Sequence, residues 1–213
     1  MAQSACLFPL CGLPHSDGGA LLSRSSLGLV WKSAVVVRVP TLFVMVGLPG
    51  SGKTRLAIEV EQAEHALRLT PDEWMVPLFG ALEEGDARDV LEGRFVWLAR
   101  RALLGGLDVV LDFGVWSKDE RTALRHIAAG VGARCRLVFA DVGATEQRQR
   151  LDARTAGSPG TSPAISDNDL VRARNVFQVP DRFELADGPL DPPPAGHATW
   201  EDWAAQRWPT STG

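Results

Sequence analysis

An α/β fold, a parallel sheet with helices on both faces, is what this sequence predicts, and three observations carry that expectation. Short apolar runs alternate with longer stretches of helical periodicity between Val35 and Val176, the pattern of strands joined by helical crossovers. The run "FVMVGLPGSGKTRLAIEV" (Phe43–Val60) passes through one glycine-rich turn from a buried-strand pattern into a helical one. With 213 residues and 45% hydrophobic content, the chain is long enough to bury one full core.

The elements follow in order. Residues 1–34 are rich in Ser, Gly and Leu with little periodicity, and read as a poorly ordered extension or a docking segment. "VVVRVPTLFVMV" (Val35–Val46) reads as a buried strand with Pro40 near its start. A helix is expected from Thr54 to Glu64, and a short second strand over Leu67–Leu69. "TPDEWM" opens a helix, with Thr70 as N-cap and Pro71 at the first helical position. Asp86–Leu104 is the longest helical pattern, with Val90, Leu91, Phe95, Leu98 and Ala102 on one side, and Gly105 and Gly106 ending it. "LDVVLDF" (Leu107–Phe113) is a strand, and Ser117 with Glu120 forms a capping box for a helix reaching Ala129. "CRLVFADV" (Cys135–Val142) is a further strand. An arginine-rich helix is expected over Thr145–Thr155, a flexible "GSPGTSP" loop over 157–163, and a helix over Asp167–Val176. The domain is expected to span 35–187, with 188–213 a Pro/Trp-rich tail. Trp200, Trp203 and Trp208 there fit packing back on the domain better than a cofactor box.

Composition narrows the function classes. Formal net charge is −4 and the pI about 5.6, so no long nucleic acid is expected as a partner. No apolar run reaches the roughly 18–20 residues that span a bilayer, so no membrane partner is expected. The first residues have no basic stretch before their short apolar run, which speaks against a signal peptide. Cys6, Cys11 and Cys135 match no zinc or redox spacing and read as free thiols of a reducing compartment. The expected location is cytoplasmic. The four histidines have no metal spacing and take no role.

The chemistry begins at Gly47-Leu48-Pro49-Gly50-Ser51-Gly52-Lys53-Thr54, which fits GxxxxGK[ST] without a mismatch. Its glycines let the backbone wrap so that amide N–H groups point at phosphate oxygens, and the following helix adds its positive end. Lys53 suits the β- and γ-phosphates, and Thr54 offers a hydroxyl to Mg²⁺. Asp72 follows the second strand, at the carboxyl edge of a doubly wound sheet. A carboxylate there can take the proton of an attacking hydroxyl; it can equally serve only the helix N-terminus. Asp112 ends an apolar strand in the Walker B manner, a metal-binding position, with a turn aspartate as the plainer reading. Arg94, Arg100, Arg101, Arg121, Arg125, Arg148, Arg150 and Arg154 are the clustered cations. Arg148 and Arg154 flank the flexible loop and suit a closing lid that clamps migrating charge, or an exposed helix face.

"GLPGSGKT", "LTPDEWM", "VVLDFGVWSKDERTALR", "RLDAR" and "FQVPDRFE", in that order, resemble an AAA-type ATP-binding family of small bacterial P-loop kinases, whose wider relatives include chloramphenicol phosphotransferase, zeta toxins and polynucleotide kinases. The resemblance covers about residues 40–187. It implies a three-layer P-loop NTPase core with about five parallel strands, a mobile lid, ATP and Mg²⁺. It raises Asp72 to catalytic base, assigns Arg148 and Arg154 to the lid, and sets Phe177–Glu184 near the adenine. A proline that the family often carries near Gln178 is missing here, while Pro180 and Phe183 are kept.

The expected function is therefore an ATP- and Mg²⁺-dependent phosphotransferase acting on a hydroxyl of a small molecule of antibiotic, nucleoside or sugar type. Lys53, Asp72, Arg148 and Arg154 would be its catalytic residues, with Thr54 and Asp112 at the metal. The acceptor would lie between the Asp72 segment and the 86–104 helix, with Trp74, Phe79, Phe95 and Trp97 as apolar wall or as core. A polynucleotide 5′-hydroxyl kinase and an ATP-binding regulatory module without transfer are the alternatives.

Overall fold

The computed structural model describes residues 38–81, 86–157 and 165–212. The expected extension over 1–34 and nearly all of the 157–163 loop lie outside them. The chain divides after Val36, and the described residues all belong to the second unit.

Strands β1 (Thr41–Val46), β2 (Leu67–Leu69), β3 (Val109–Leu111) and β4 (Arg134–Phe139) form one sheet in the order β2-β3-β1-β4. Every pair is parallel, with Val44 opposite Leu111 on one side and Leu137 on the other. β1 is buried at all six positions, because an inner parallel strand has helices over both faces, which requires a continuous apolar run rather than alternation. Helices α1 (Lys53–Glu64), α2 (Pro71–Phe79), α3 (Ala87–Leu104), α4 (Lys118–Gly130), α5 (Ala144–Gly157), α6 (Asp167–Val176), α7 (Arg182–Leu185) and α8 (Trp200–Arg207) complete the chain.

The main core lies between the sheet and α3, α4 and α8; a smaller one lies under α1. The capping box of α4 forms as its sequence indicates: Ser117 Oγ accepts the Glu120 N–H, and Glu120 accepts the Ser117 N–H. The buried side of α3 carries Leu91, Phe95, Val96, Ala99 and Leu103, while Val90 faces out. The same helix buries the carboxylate of Glu92.

The sheet has four strands among the described residues, not about five. Past α6 the sequence is broken by Pro180, Pro189 and the 192–194 prolines, and proline cannot donate to a ladder. The chain instead crosses back: Phe177 stacks on Phe139, and the Gln178 N–H reaches the Trp116 carbonyl at 2.9 Å. The tail then packs on the domain. Trp200 and Trp208 are buried, Trp203 meets both edge-on, and His126 stacks on Trp200. Arg121, with no exposed side-chain surface, binds Glu184 through two nitrogens at 2.7 and 3.1 Å.

Candidate nucleotide and acceptor site

Parallel pairing sends the carboxyl ends of β1, β2 and β3 to one edge of the sheet. The loop after β1 begins at Gly47, β2 runs into Thr70 and Asp72, and β3 runs into Asp112. These three segments meet around one cavity of about 690 Å³, lined on its floor by Gly50, Gly52, Lys53, Thr54 and Asp112, and on its walls by Asp72, Arg88, Trp116, Arg150 and Arg154. That volume is in the range of small-molecule sites.

The loop over 47–54 is held in a concave form. Gly47, Gly50 and Gly52 have φ of 150°, 77° and 95°, values L side chains rarely adopt. A Cβ on Gly50 would also meet Leu151 of α5 at 2.8 Å. Ser51 N–H donates to the Leu48 carbonyl at 3.1 Å, and Lys53 Nζ to the same carbonyl at 3.0 Å. From outside, Gln147 Nε2 donates to the Pro49 carbonyl and Arg150 Nη1 to the Ser51 carbonyl, at 2.6 and 2.7 Å. Arg174 of α6 in turn holds Gln147. These donors occupy the Leu48, Pro49 and Ser51 carbonyls, and a glycine loop that opens a helix in this way can cradle an anion with its N–H groups.

The electrostatics fit a phosphate and a cation. Burial lowers the Lys53 ammonium to about 8, against the pull of Asp112 and Asp72, and Arg154 adds to the depression. Burial raises the Asp112 carboxyl above its ordinary range, opposed by the Thr54 hydroxyl bonded to it and by Lys53 and Arg68. Asp112 Oδ2 is buried without a hydrogen-bond partner, and the nearest cation, Arg68 Nη1, stands 4.0 Å away. A buried, unpartnered carboxylate oxygen beside a threonine hydroxyl is the donor pair a hard divalent cation takes. Among the described residues no group of three or more His, Cys, Asp or Glu could hold a metal, so Thr54 and Asp112 would share such an ion with phosphate oxygens.

Asp72 stands on the opposite wall. Thr70 precedes α2 in extended conformation and Pro71 starts the helix, but Thr70 makes no side-chain cap bond. Asp72 Oδ1 accepts from Arg88 Nη1 at 3.0 Å. This pair joins the Asp72 segment to α3 in the cavity lining.

The arginines divide differently from their order in sequence. Arg154 lines the cavity. Arg148 does not: its guanidinium binds Asp152 and, at 3.1 Å, Asp167, joining α5 to α6. Arg150 stands in the cavity wall instead. Gln147, Arg150, Leu151 and Arg154 repeat at the spacing of one helical face, a signal present in "EQRQRLDAR" that marks Arg148 as the residue off that face. Arg121 and Arg125 lie away from the cavity and tie the chain after α6: Arg121 to Glu184, Arg125 to Asp187 and the Gly188 carbonyl. Among the aromatics, Phe95 is core, Trp74 packs edge-on to it at 5.1 Å, and Trp97 is covered by Arg94 and Arg101. None of these lines the cavity, nor does any residue of 177–184.

A four-stranded parallel sheet in this order, with its glycine loop at the end of β1, is the fold of P-loop kinases, a nucleotide-binding fold. The family described as an AAA domain matches residues 42–180, and the chain belongs to it. Among solved structures, one chain of the Pnkp1/Rnl/Hen1 RNA repair complex is similar at 16% identity and a TM-score of 0.56, over 72% of this chain and 47% of that one. This chain thus spans about half the length of that relative. A protein given provisionally as a kinase, from Chloroflexus aurantiacus, is similar at 17% identity and a TM-score of 0.52, over 75% of this chain and 85% of that one. A search of the curated proteins finds no match. No helix among the described residues is long and apolar enough to cross a membrane.

Proposed function

We propose that this protein transfers the γ-phosphate of ATP, with Mg²⁺, to a hydroxyl of a small molecule of antibiotic, nucleoside or sugar type. The observation that carries the reading is the placement of Asp72 on the wall of one cavity whose floor holds Lys53, Thr54 and Asp112, with the strand order setting Asp112 between the 47–54 loop and the Asp72 segment. A site that only held nucleotide would need the floor; the carboxylate across from it supplies a base for an attacking hydroxyl.

The 47–54 loop and Lys53 would hold the phosphates, and Thr54 and Asp112 the metal, which neutralises charge on the phosphate oxygens when bound. Asp72 would accept the hydroxyl proton at its carboxylate. Lys53 and Arg154 would stabilise charge on the group in flight. Arg148, tied to Asp152 and Asp167, would act on the lid by holding α5 to α6.

One observation favours a second reading, a 5′-hydroxyl polynucleotide kinase: the similarity of fold to a chain of an RNA repair complex. The net charge of −4 counts against it.

The test is γ-phosphate transfer from Mg-ATP to a panel of antibiotics, nucleosides, sugars and short 5′-hydroxyl oligonucleotides, read as product mass, with Lys53→Ala as the blank. A Lys53-dependent gain of one phosphate on a small molecule supports the proposal. A gain on the oligonucleotides alone moves it to the second reading, and ATP binding without any product defeats both.

A further inference from the structure

Five charged side chains run from the cavity into the C-terminal segment and back. Asp72 is bound by Arg88. Arg88 Nε stands 3.4 Å from Glu92 Oε1, and Glu92 Oε2 stands 3.8 Å from Arg207 Nη2. Arg207 Nε donates to Glu120 Oε1 at 2.7 Å. The other oxygen of Glu120 accepts the backbone N–H groups of Trp116 and Ser117 at 2.8 and 2.9 Å, and Trp116 lines the cavity. The chain of charges therefore begins and ends on the cavity wall.

Its middle is buried. Glu92 is only 5% exposed, and a carboxylate is placed there at a cost unless cations flank it. Separate contacts fix the same turn of α3 to the C-terminal segment. Thr210 Oγ1 donates to the Val90 carbonyl at 2.6 Å, and Arg94 Nη1 to the Thr210 carbonyl at 3.2 Å. A Cβ at Gly93 would overlap Thr210 Oγ1, so the glycine permits the close approach.

We propose that Glu92 and Arg207 are positioning residues for phosphoryl transfer: they hold the Arg88 guanidinium in place against Asp72, and the C-terminal segment is thereby a working part of the acceptor side. This rests on the reading of Asp72 as the base. An arginine held at one edge by Asp72 alone can swing; Glu92 on its other edge, steadied by Arg207, removes that freedom. Asp72 is then fixed through Oδ1, and Oδ2 is left for the acceptor's proton. The groups facing Glu92 are Arg88 and Asp89 of its own helix, Arg207 of α8 and Glu120 of α4. Burial raises Glu92 to about 7, and the two arginines oppose that rise. Its charge therefore changes near neutral pH, and its hold on Arg88 changes with it.

The first arm of the test needs no acceptor. In ¹⁵N-labelled protein the Arg88 Nε–Hε resonance, assigned by its loss in Arg88→Lys, is followed from pH 5.5 to 9. It is expected to move with a midpoint near 7. Arg207→Gln removes a cation that favours the ionised carboxylate, and is expected to raise the midpoint by about half a pH unit or more. Glu92→Gln, whose neutral amide resembles the protonated form that burial favours, should fold and abolish the movement. A resonance flat across the range, or a midpoint unchanged in Arg207→Gln, overturns the proposal. The second arm uses the acceptor that the panel identifies. There Glu92→Gln and Arg207→Gln are expected to lower kcat about tenfold with KM for ATP unchanged, and Arg207→Lys to recover part of the loss. Parental kcat in both Gln variants overturns the catalytic role. A panel without product defeats the phosphotransfer reading, and the catalytic half of this proposal with it, while the resonance still decides whether the coupling exists.

Discussion

The two walls of the cavity are built in opposite ways. On the phosphate side, one uninterrupted stretch, Gly47–Thr54, supplies the loop, the lysine and the hydroxyl, between a strand and a helix that adjoin it. On the proposed acceptor side, Asp72 and Arg88 come from α2 and α3 and Trp116 from the loop before α4, and Glu92 and Arg207 stand behind them. The phosphate side can be assembled by local backbone geometry alone. The acceptor side exists only once α2, α3, α4 and α8 have packed, which makes it the part that mutations far from the cavity can disturb.

The largest expected effect tests whether the two walls do different work. Asp72→Asn should reduce transfer by about 10²–10⁴-fold and leave Mg-ATP affinity, measured by calorimetry, within about twofold of the parent. Transfer at the parental rate would remove Asp72 from the chemistry. A loss of nucleotide binding would place it on the wrong wall.

Next in size is the packing that the acceptor side depends on. Glu184→Gln leaves the Arg121 guanidinium buried with a neutral partner. Breaking such a pair costs about 3–5 kcal/mol when a charge is left uncompensated. Urea unfolding should show most of that loss, and a change below about 1 kcal/mol would mean that the tie is not a structural one.

A smaller effect sharpens the division among the arginines. Arg154→Gln should slow transfer by about tenfold or more, whereas Arg148→Gln should act mainly through the α5–α6 contact and slow it less. Equal effects on kcat would show that the cavity-lining face has no special part.

The smallest effect is one of pH on the phosphate wall. Lys53 titrates near 8 in the free protein, and bound polyphosphate favours its charged form, so the bound value lies higher. Above pH 8 the protein must then take up a proton to bind nucleotide. Affinity should fall with rising pH by at most about tenfold per unit, and calorimetry in buffers of different ionisation heat should register the uptake. Affinity level from pH 7 to 9.5 would contradict the assignment.

How far the site could be read from sequence follows the same division. The glycine loop, β1, the Ser117–Glu120 cap and the order of strands and helices are local, and periodicity and turn chemistry are enough for them. The expected fifth strand came from resemblance rather than from an apolar run in this chain, and the prolines after α6 are the local reason that none forms there among the described residues. Arg148 and Arg150 show the middle case. Helical spacing distinguishes them, but only once Gln147, Leu151 and Arg154 are recognised as the face that meets the 47–54 loop. Glu92 could not be found this way at all. A glutamate on a long helix reads as solvent-facing, and nothing local announces that Arg88 and Arg207 will bury it.

By itself, then, the sequence determined the class of fold and the glycine loop, and it nominated Asp72 as a candidate base and Asp112 as a candidate metal-binding carboxylate, because each of these depends on neighbours within a turn or two of chain. Only the tertiary structure decided which arginines face the cavity, that Asp72 and Arg88 form a pair, and that Arg207 reaches Glu92 and Glu120 from the tail whose tryptophans the sequence already set against the domain. Those outcomes depend on contacts between residues far apart in sequence, where burial and charge pairing act together and no spacing rule reaches.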